Sequence, residues 1–168
     1  METTKTNTER RGEVARKLIF GANPKRTLVR IGLWGVATIV VFHYLVLPIK
    51  IVGTSMTPTY PDGSMNFINK LSYARHVPNR GDVIALQYEG EVLLKRIIGM
   101  PGEQISIEQG VIELNGKPVQ DVFAYMTVPW ELEAVRLGRN EYFVIGDNRN
   151  MSVFAKIGKS QILGKIIF

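Results

Sequence analysis

The stretch DVIALQYEGEVLLKRIIGMPGEQISIEQGVIELNG, residues 82–116, contains four short apolar segments separated by glycine-containing turns. Apolar and polar residues alternate along the last two segments, and this alternation predicts half-buried β-strands. Asn115-Gly116, at the end of the stretch, is a strong signal for a two-residue hairpin turn. The stretch therefore predicts a strand-rich body. The predicted strands are 82–88, 92–98, 104–108 and 111–114, the first two paired as a hairpin.

The rest of the chain beyond residue 48 has the same character. Sixteen glycines and eight prolines in 168 residues favour many turns, and a hydrophobic content of 45% excludes a disordered chain. Absence of cysteine excludes disulfides, thiolate catalysis and cysteine-based zinc sites. We expect a mainly β, compact, barrel-like domain over 49–168. Its other strands are predicted at 49–52, 65–70, 142–145 and 162–167, and residues 130–135 form either a short helix or an irregular loop.

One apolar run, IGLWGVATIVVFHYLVL at 31–47, contains no formally charged residue. A bilayer-spanning helix needs ~20 residues, with ~17 as the lower limit. Lysine and arginine cluster before the run, which keeps the N-terminus cytoplasmic. No small-x-small cleavage pattern follows it, so an uncleaved signal anchor is favoured over a cleaved signal peptide. The chain is thus divided into a basic cytoplasmic segment (1–30), a transmembrane anchor (31–48) and an extracytoplasmic domain (49–168).

The formal net charge of +6 arises mostly from this basic N-terminal segment. A basic tail can bind nucleic acid or aid solubility. Its position beside an apolar run instead favours a role in membrane topology, so no nucleic-acid partner is expected. Residues 10–20 also fit a short basic amphipathic helix on the inner membrane surface.

Two residues suggest chemistry. Ser55 lies just after the anchor, and Lys95 lies inside an apolar predicted strand. A serine hydroxyl needs a nearby base. The two histidines, His43 and His76, show no acid–histidine relay, whereas a buried lysine loses its charge readily and can act as the base. Taken singly, each residue also fits an ordinary role, as a turn serine and as a lysine that extends to water.

Three sequence blocks carry a resemblance to a known family. They are GTSMTPT (53–59), KRIIGMPGE (95–103) and VIGDNR (144–149) followed by Ser152, and RGDV (80–83) is a weaker fourth. They resemble the conserved blocks of bacterial type I signal peptidases, the membrane-bound Ser-Lys endopeptidases that remove signal peptides from exported proteins. They also occur in the family's order, after an anchor.

The resemblance implies a role for each matching residue. Ser55 is the nucleophile, and its N–H contributes to the oxyanion hole. Lys95 is the general base, and the Ser152 hydroxyl orients its amine. Arg96 and Asp147 form a charged pair that supports the site. The fold implied is the mainly β signal-peptidase type.

The resemblance also implies the substrate and partners. Met56, Val52 and Leu94 would line shallow pockets that accept small side chains before the cut, as in Ala-x-Ala. The partners are preprotein signal peptides and the lipid bilayer of the plasma (inner) membrane, and no metal or organic cofactor is required. The oligomeric state does not follow from the sequence.

The chain departs from the family pattern at two places. Many relatives carry a hydroxyl where this chain has Gly53, so the second oxyanion donor is unidentified and Thr54 is only a candidate. After Ser152 the family usually continues with Asp, Ser and Arg, whereas this chain has VFAK (153–156). Two outcomes stay open here: Ser152 is oriented differently from its counterpart in the family, or apolar packing by Phe154 replaces the missing ion pair. Two alternatives stay open: a specialised maturation peptidase of a secretion or conjugation system, and a catalytically inactive membrane-anchored binding module.

Overall fold

The computed structural model describes residues 24–119 and 128–167. They form a helical unit that ends at His43 and a β-rich unit that begins at Tyr44. The elements in chain order are α1 (Pro24–Val40), a π-helical turn (Val41–Leu45), β1 (Val46–Lys50), β2 (Met65–Asn69), β3 (Val83–Tyr88), β4 (Glu91–Gly99), β5 (Gln104–Glu108), β6 (Val111–Leu114), β7 (Lys117–Pro118), β8 (Leu132–Arg136), β9 (Glu141–Ile145), β10 (Ala155–Gly158), a 3-10 turn (Lys159–Gln161) and β11 (Ile162–Ile166).

The helical unit has the length and composition of a membrane span. Helical residues Lys25–Leu45 number 21 and have a mean hydropathy of 1.7. At 1.5 Å per residue they extend ~30 Å, about the thickness of the hydrocarbon core. The helix begins before the predicted segment 31–48 and ends earlier, because Val46 already belongs to β1. The predicted amphipathic helix at 10–20 lies outside the described residues.

The β-rich unit confirms the mainly β prediction. Its larger sheet has the strand order β1-β2-β11-β3-β4-β9-β10, and a smaller sheet has the order β7-β6-β5-β8. The predicted hairpin pairs β3 with β4, and two-residue turns also join β5 to β6 and β6 to β7. Both residues of each turn have a positive φ, the geometry that matches the twist of the adjoining strands. The turns are Glu89-Gly90, Gln109-Gly110 and Asn115-Gly116.

Other local expectations differ from the structure. Residues 132–136 form strand β8, where the sequence suggested a short helix or a loop. β8 pairs with β5 across a bulge, so a distant strand determines its conformation rather than its own helix-favouring Glu and Ala. Strands β7 and β10 were not predicted at all. β1 begins at Val46 rather than at residue 49.

Strand β4 lies inside the large sheet, between β3 and β9. Two different hydrophobic clusters cover it, one containing Ile97 and the other Ile98. Consecutive side chains of a strand point to opposite faces, so both faces of the sheet are covered here. Polar residues on this part of β4 are therefore removed from water. One of the two clusters joins both sheets, through Ile105 and Ile112 of the small sheet and Phe143 of the large one.

The close pairing of β2 with β11 depends on a glycine. A Cβ on Gly164 would collide with the backbone oxygen of Asn69 and stand 2.7 Å from Ile68 Cγ2. A backbone atom in a paired strand cannot move aside without loss of ladder hydrogen bonds. Any side chain at residue 164 should therefore push the two strands apart.

We predict that Gly164→Ala lowers the free energy of unfolding by ~1–3 kcal/mol through overpacking. For a chain of this size that corresponds to a Tm roughly 2–12 °C lower. Gly158→Ala is the matched control, since its nearest neighbour, Ser160 Oγ, lies 3.7 Å away. Thermal unfolding of the detergent-solubilised protein measures both variants. An equal Tm for the two would refute close packing at Gly164.

Candidate active site

Ser55 lies in the loop between β1 and β2, and backbone hydrogen bonds define this loop. Ile51 N donates to Ser64 O (2.8 Å), and Gly63 N donates back to Ile51 O (2.9 Å). Gly53 has a φ of 98°, a conformation that side chains disfavour, and its N–H donates to Asp62 Oδ1 (2.8 Å). The backbone thus has a physical reason for glycine at the position where many family members carry a hydroxyl.

Lys95 lies on β4, opposite Ile84 of β3, and only 5% of it is exposed. Its Nζ donates a hydrogen bond of 2.7 Å to Ser152 Oγ. Burial holds the pKa of Lys95 below its ordinary value, because removal from water penalises the ammonium form. The structure therefore places a buried amine with a lowered pKa beside a serine hydroxyl.

The Ser152 hydroxyl is itself fully engaged. It accepts from Lys95 Nζ and from the Gly146 N–H (2.8 Å), and it donates to Val153 O (3.2 Å). A hydroxyl has one donor and two acceptor sites, so all three are used. This bonding fixes the direction from which Ser152 meets the amine.

The loop of Ser55 and the segment of Ser152 meet at Gly146. A Cβ on Gly146 would collide with both Ser55 O and Ser152 Oγ. Asn148 N also donates to Ser55 O (3.0 Å), so the backbone of Ser55 is held against the turn after β9. Within the described residues no hydrogen bond joins the Ser55 hydroxyl to Lys95 itself. The two residues are connected indirectly: Lys95 bonds to Ser152, Ser152 bonds to Gly146, and Gly146 packs against the backbone of Ser55.

Arg96, the residue after Lys95, forms a buried ion pair with Asp147. Arg96 Nε and Nη2 lie 2.7 and 2.6 Å from the two carboxylate oxygens, and Nη1 donates to Gly81 O (2.7 Å). The two side chains are 6% and 0% exposed. A bidentate pair of this kind fixes direction as well as distance. It fastens β4 to the turn that contains Gly146.

Two further residues hold the Ser55 loop, and sequence reasoning gave neither a role. Thr59 Oγ1 donates to Asp147 Oδ2 (2.6 Å), which connects the loop to the ion pair. Asn148 Nδ2 donates to Thr54 O (3.1 Å) and to Thr57 Oγ1 (3.0 Å). Both residues lie inside the sequence blocks that resemble the family, so the blocks could have pointed to them. Their hydrogen-bond partners, however, can be identified only in the folded structure.

A cleft of about 280 Å³ adjoins Ser55. Its walls include all three predicted pocket residues, Val52, Met56 and Leu94. Met56 is buried beneath the cleft, whereas Val52 is 86% exposed. The lining is mainly apolar, and among the described residues Lys50 is its one charged member. The cleft therefore presents an apolar surface beside Ser55.

The segment after Ser152 is anchored by aromatic packing. The ring of Phe154 stacks on Phe143 (5.4 Å between centroids, 26° between planes) and meets the edge of Trp130 at 5.6 Å. Lys156 forms an exposed ion pair with Glu141 (3.3 Å). Phe154 therefore attaches this segment to the core of the β-rich unit by apolar contact.

Comparisons with known proteins identify the family of the chain. The family described as signal peptidase, peptidase S26, matches residues 25–168. A probable signal peptidase I-1 of Synechocystis is 32% identical over 135 residues, which cover 72% of this chain and 69% of that protein. Signal peptidase I V of Bacillus subtilis is 32% identical over 136 residues, with coverages of 70% and 81%.

Among solved structures, a signal peptidase I from Enterococcus faecalis matches with 21% identity and a TM-score of 0.47, over 54% of this chain and 97% of that one. The family match covers both the apolar helix and the β-rich unit, and the two relatives align along most of their own length. The chain belongs to the signal peptidase family of serine peptidases, peptidase S26.

Proposed function

We propose that this chain removes signal peptides from exported preproteins, with Ser55 as nucleophile and Lys95 as general base. The buried hydrogen bond between Lys95 Nζ and Ser152 Oγ is the observation that carries the proposal. A lysine buried without a carboxylate partner is suited to accept a proton rather than to hold a charge. The family membership and the cleft beside Ser55 support the same assignment.

The proposed reaction has two halves. Neutral Lys95 takes the proton of the Ser55 hydroxyl as Oγ attacks the scissile carbonyl carbon. The C–N bond then breaks, and the Lys95 ammonium gives its proton to the leaving amine, which leaves an acyl group on Ser55. In the second half, Lys95 takes a proton from a water molecule as the water oxygen attacks the ester carbon. The bond from that carbon to Ser55 Oγ then breaks, the carboxyl product leaves, and the Lys95 ammonium returns its proton to Ser55 Oγ.

This mechanism requires the Ser55 hydroxyl to approach Lys95 when substrate is bound. Catalytic hydrogen bonds are often long without substrate and tighten in the complex. Ser152 would keep the amine directed during that step, because its other bonds, to Gly146 and Val153, fix its position. Arg96, Asp147 and Asn148 support the site by holding the turn and the Ser55 loop together.

The Ser55 N–H is proposed to stabilise the oxyanion. Within the described residues it makes no hydrogen bond, so it is available to the negative charge that develops on the carbonyl oxygen. Thr54 is the candidate second donor because its side chain is exposed in the same turn. Val52, Met56 and Leu94 would receive the small side chains of an Ala-x-Ala junction.

The active site is proposed to lie at the outer face of the plasma membrane. Eight lysines and arginines precede Ile31, against three glutamates, and this asymmetry keeps the N-terminus inside. The β-rich unit follows the candidate span directly, so it would be held next to the bilayer in which the apolar part of the substrate also lies. Tethering both reactants to one surface raises their effective concentration.

We predict that Ser55→Ala lowers cleavage of a preprotein with an Ala-x-Ala junction by roughly 10⁴–10⁶-fold. The fold should be retained, since one half-buried hydroxyl contributes little to stability. Ser106→Ala, on the small sheet, is the control and should cleave normally. Appearance of the mature product on a gel measures all three proteins.

Undiminished cleavage by Ser55→Ala would refute the assignment of Ser55 as the nucleophile. Absence of cleavage by folded wild-type protein would refute the general signal-peptide substrate. It would favour either the maturation peptidase with a narrow substrate or the inactive binding module. A labelling reagent that acylates active serines separates these two, because only the peptidase would react.

Cleavage should also depend on pH in the direction that a lysine base requires. Since burial lowers the pKa of Lys95, kcat/KM should rise with pH through a single ionisation below the ordinary lysine value of 10.5 and then level off. Lys95→Arg should be inactive because a guanidinium stays protonated. Lys117→Arg is the matched control. A flat profile between pH 6 and pH 10 at limiting substrate would contradict a titrating amine base.

Phe154 is predicted to position Ser152. Phe154→Ala should destabilise the protein by roughly 2 kcal/mol, less than the 3–5 kcal/mol typical of a fully buried phenylalanine. It should also lower kcat more than it raises KM and shift the pH profile, because the partner of Lys95 loses its anchor. Val153→Ala, at a side chain 70% exposed, is the control, and Phe154→Leu should restore most activity. A stability loss with unchanged kcat and pH profile would reduce Phe154 to a purely structural role.

A further inference from the structure

A second and larger cavity, about 540 Å³, opens on the β-rich unit away from the Ser55 cleft. The loop after β2 forms one side, and the 3-10 turn before β11 forms the other. None of the residues of the proposed reaction lines it. Its lining includes Lys70, Tyr73, Ala74, Lys159 and Leu163.

The cavity is cationic. Lys70 and Lys159 both line it and are exposed, and within the described part of the chain neither is paired with a carboxylate. The lining contains no acidic residue. Two ammonium groups around a concave surface make a site for an anion.

Two carboxylates next to lining residues already have cationic partners. Asp82 accepts from Tyr73 Oη (2.9 Å) and pairs with Lys165 Nζ (2.6 Å). Glu141, beside the lining residue Asn140, pairs with Lys156 (3.3 Å). Neither of these carboxylates is therefore paired with Lys70 or Lys159.

One residue of the lining is bonded to the last residue of the candidate span. Lys70 N donates to Leu45 O (3.0 Å), and Leu45 is the last residue of that span. This bond ties the backbone of Lys70 to the segment of chain that would emerge from a bilayer entered by the span.

The loop after β2 has the composition of a segment that lies in a membrane surface. Leu71 and Val77 are 51% and 63% exposed, and Arg75 and His76 are exposed between them. Apolar side chains beside cationic ones partition into the headgroup region, where the apolar groups reach the acyl boundary and the charges meet phosphates. Neither apolar side chain packs into one of the hydrophobic clusters of the β-rich unit.

We propose that this cavity binds the phosphate of an anionic phospholipid headgroup, with Leu71 and Val77 inserted beside it. Lys70 and Lys159 would contact the phosphate, and the lipid's acyl chains would remain in the bilayer. The lysines favour a headgroup with a net negative charge over phosphatidylcholine, whose choline cation they would repel. The site goes beyond the proposed peptidase function, and it requires that the candidate span enters a bilayer and that the cavity faces that bilayer.

The absence of cysteine from the chain provides a direct test. Val77→Cys introduces a unique thiol in the loop, to which an environment-sensitive fluorophore is attached in the full-length protein. The background is Ser55→Ala, so that the readout does not depend on cleavage. The protein is placed in nanodiscs of phosphatidylcholine with increasing fractions of phosphatidylglycerol, and fluorescence is recorded.

We expect phosphatidylglycerol to shift the emission to shorter wavelength in a saturable way. Lys159→Gln and Lys70→Gln should each weaken the apparent affinity about fivefold, the contribution of one lysine near an anionic surface. Lys117→Gln removes the same charge from an exposed position on β7, outside the cavity, and should leave the response unchanged.

Three results would overturn the proposal. The first is an emission that does not respond to phosphatidylglycerol. The second is an equal weakening by Lys117→Gln, which would indicate diffuse attraction of the whole chain. The third is the same spectral shift with inorganic phosphate and phosphatidylcholine alone, which would indicate a soluble anion. A lipid response in a protein whose wild-type form cleaves no preprotein would refute only the proposed function.

Discussion

The burial of the Lys95 amine is the constraint on which the rest of the site depends. An ammonium ion taken out of water loses several kcal/mol of solvation, and the protein supplies no carboxylate to offset that loss at Lys95 within the described residues. Burial therefore lowers the pKa of the amine, and within the described residues its side-chain hydrogen-bond partner is the Ser152 hydroxyl. The bonds of Ser152 to Gly146 and Val153 position that hydroxyl, and the bond from Asn148 N to Ser55 O holds the Ser55 loop against the same turn.

The next residue on the same strand is also a buried basic side chain, but it is stabilised in a different way. Arg96 is as deeply buried as Lys95, but it has a bidentate carboxylate partner in Asp147. Adjacent positions of β4 thus hold one cation that keeps its charge and one that tends to lose it. Because the two side chains point to opposite faces of the strand, each environment is set independently. A single strand in this way supplies both the rigid support and the titrating group.

Much of the β-rich unit was predictable because its signals are local. The two-residue turns at 89–90, 109–110 and 115–116 depend on the φ preferences of glycine and asparagine, which can be recognised in the sequence. Strands β8 and β10 were missed because their pairing partners, β5 and β9, determine them rather than their own residues. The span was recognised from its composition, but its end at Leu45 depends on the pairing of β1 with β2.

In the candidate site, too, features that depend on distant residues could not be predicted from local sequence. Neither periodicity nor spacing brings Lys95 to Ser152, which lies 57 residues away in the chain, and only the family resemblance predicted that pairing. Thr59 and Asn148 had no predicted role because they act through hydrogen bonds to residues that are distant in the sequence and come close only on folding. In the sequence, Gly53 left the second oxyanion donor unidentified, whereas its positive φ gives the loop a conformational reason for glycine at this position.

Because the candidate span continues directly into β1, the length of the intervening chain limits how far Ser55 can lie from the end of the span. Only the five residues of β1 and a few loop residues separate Leu45 from Ser55. A fully extended chain covers at most ~3.6 Å per residue, so the serine can stand no more than ~36 Å from the end of the span. Under the proposed function, a substrate anchored in the same bilayer would have to present its scissile bond within that distance. The length of its polar segment, as well as its side chains, would then decide whether it can be cut.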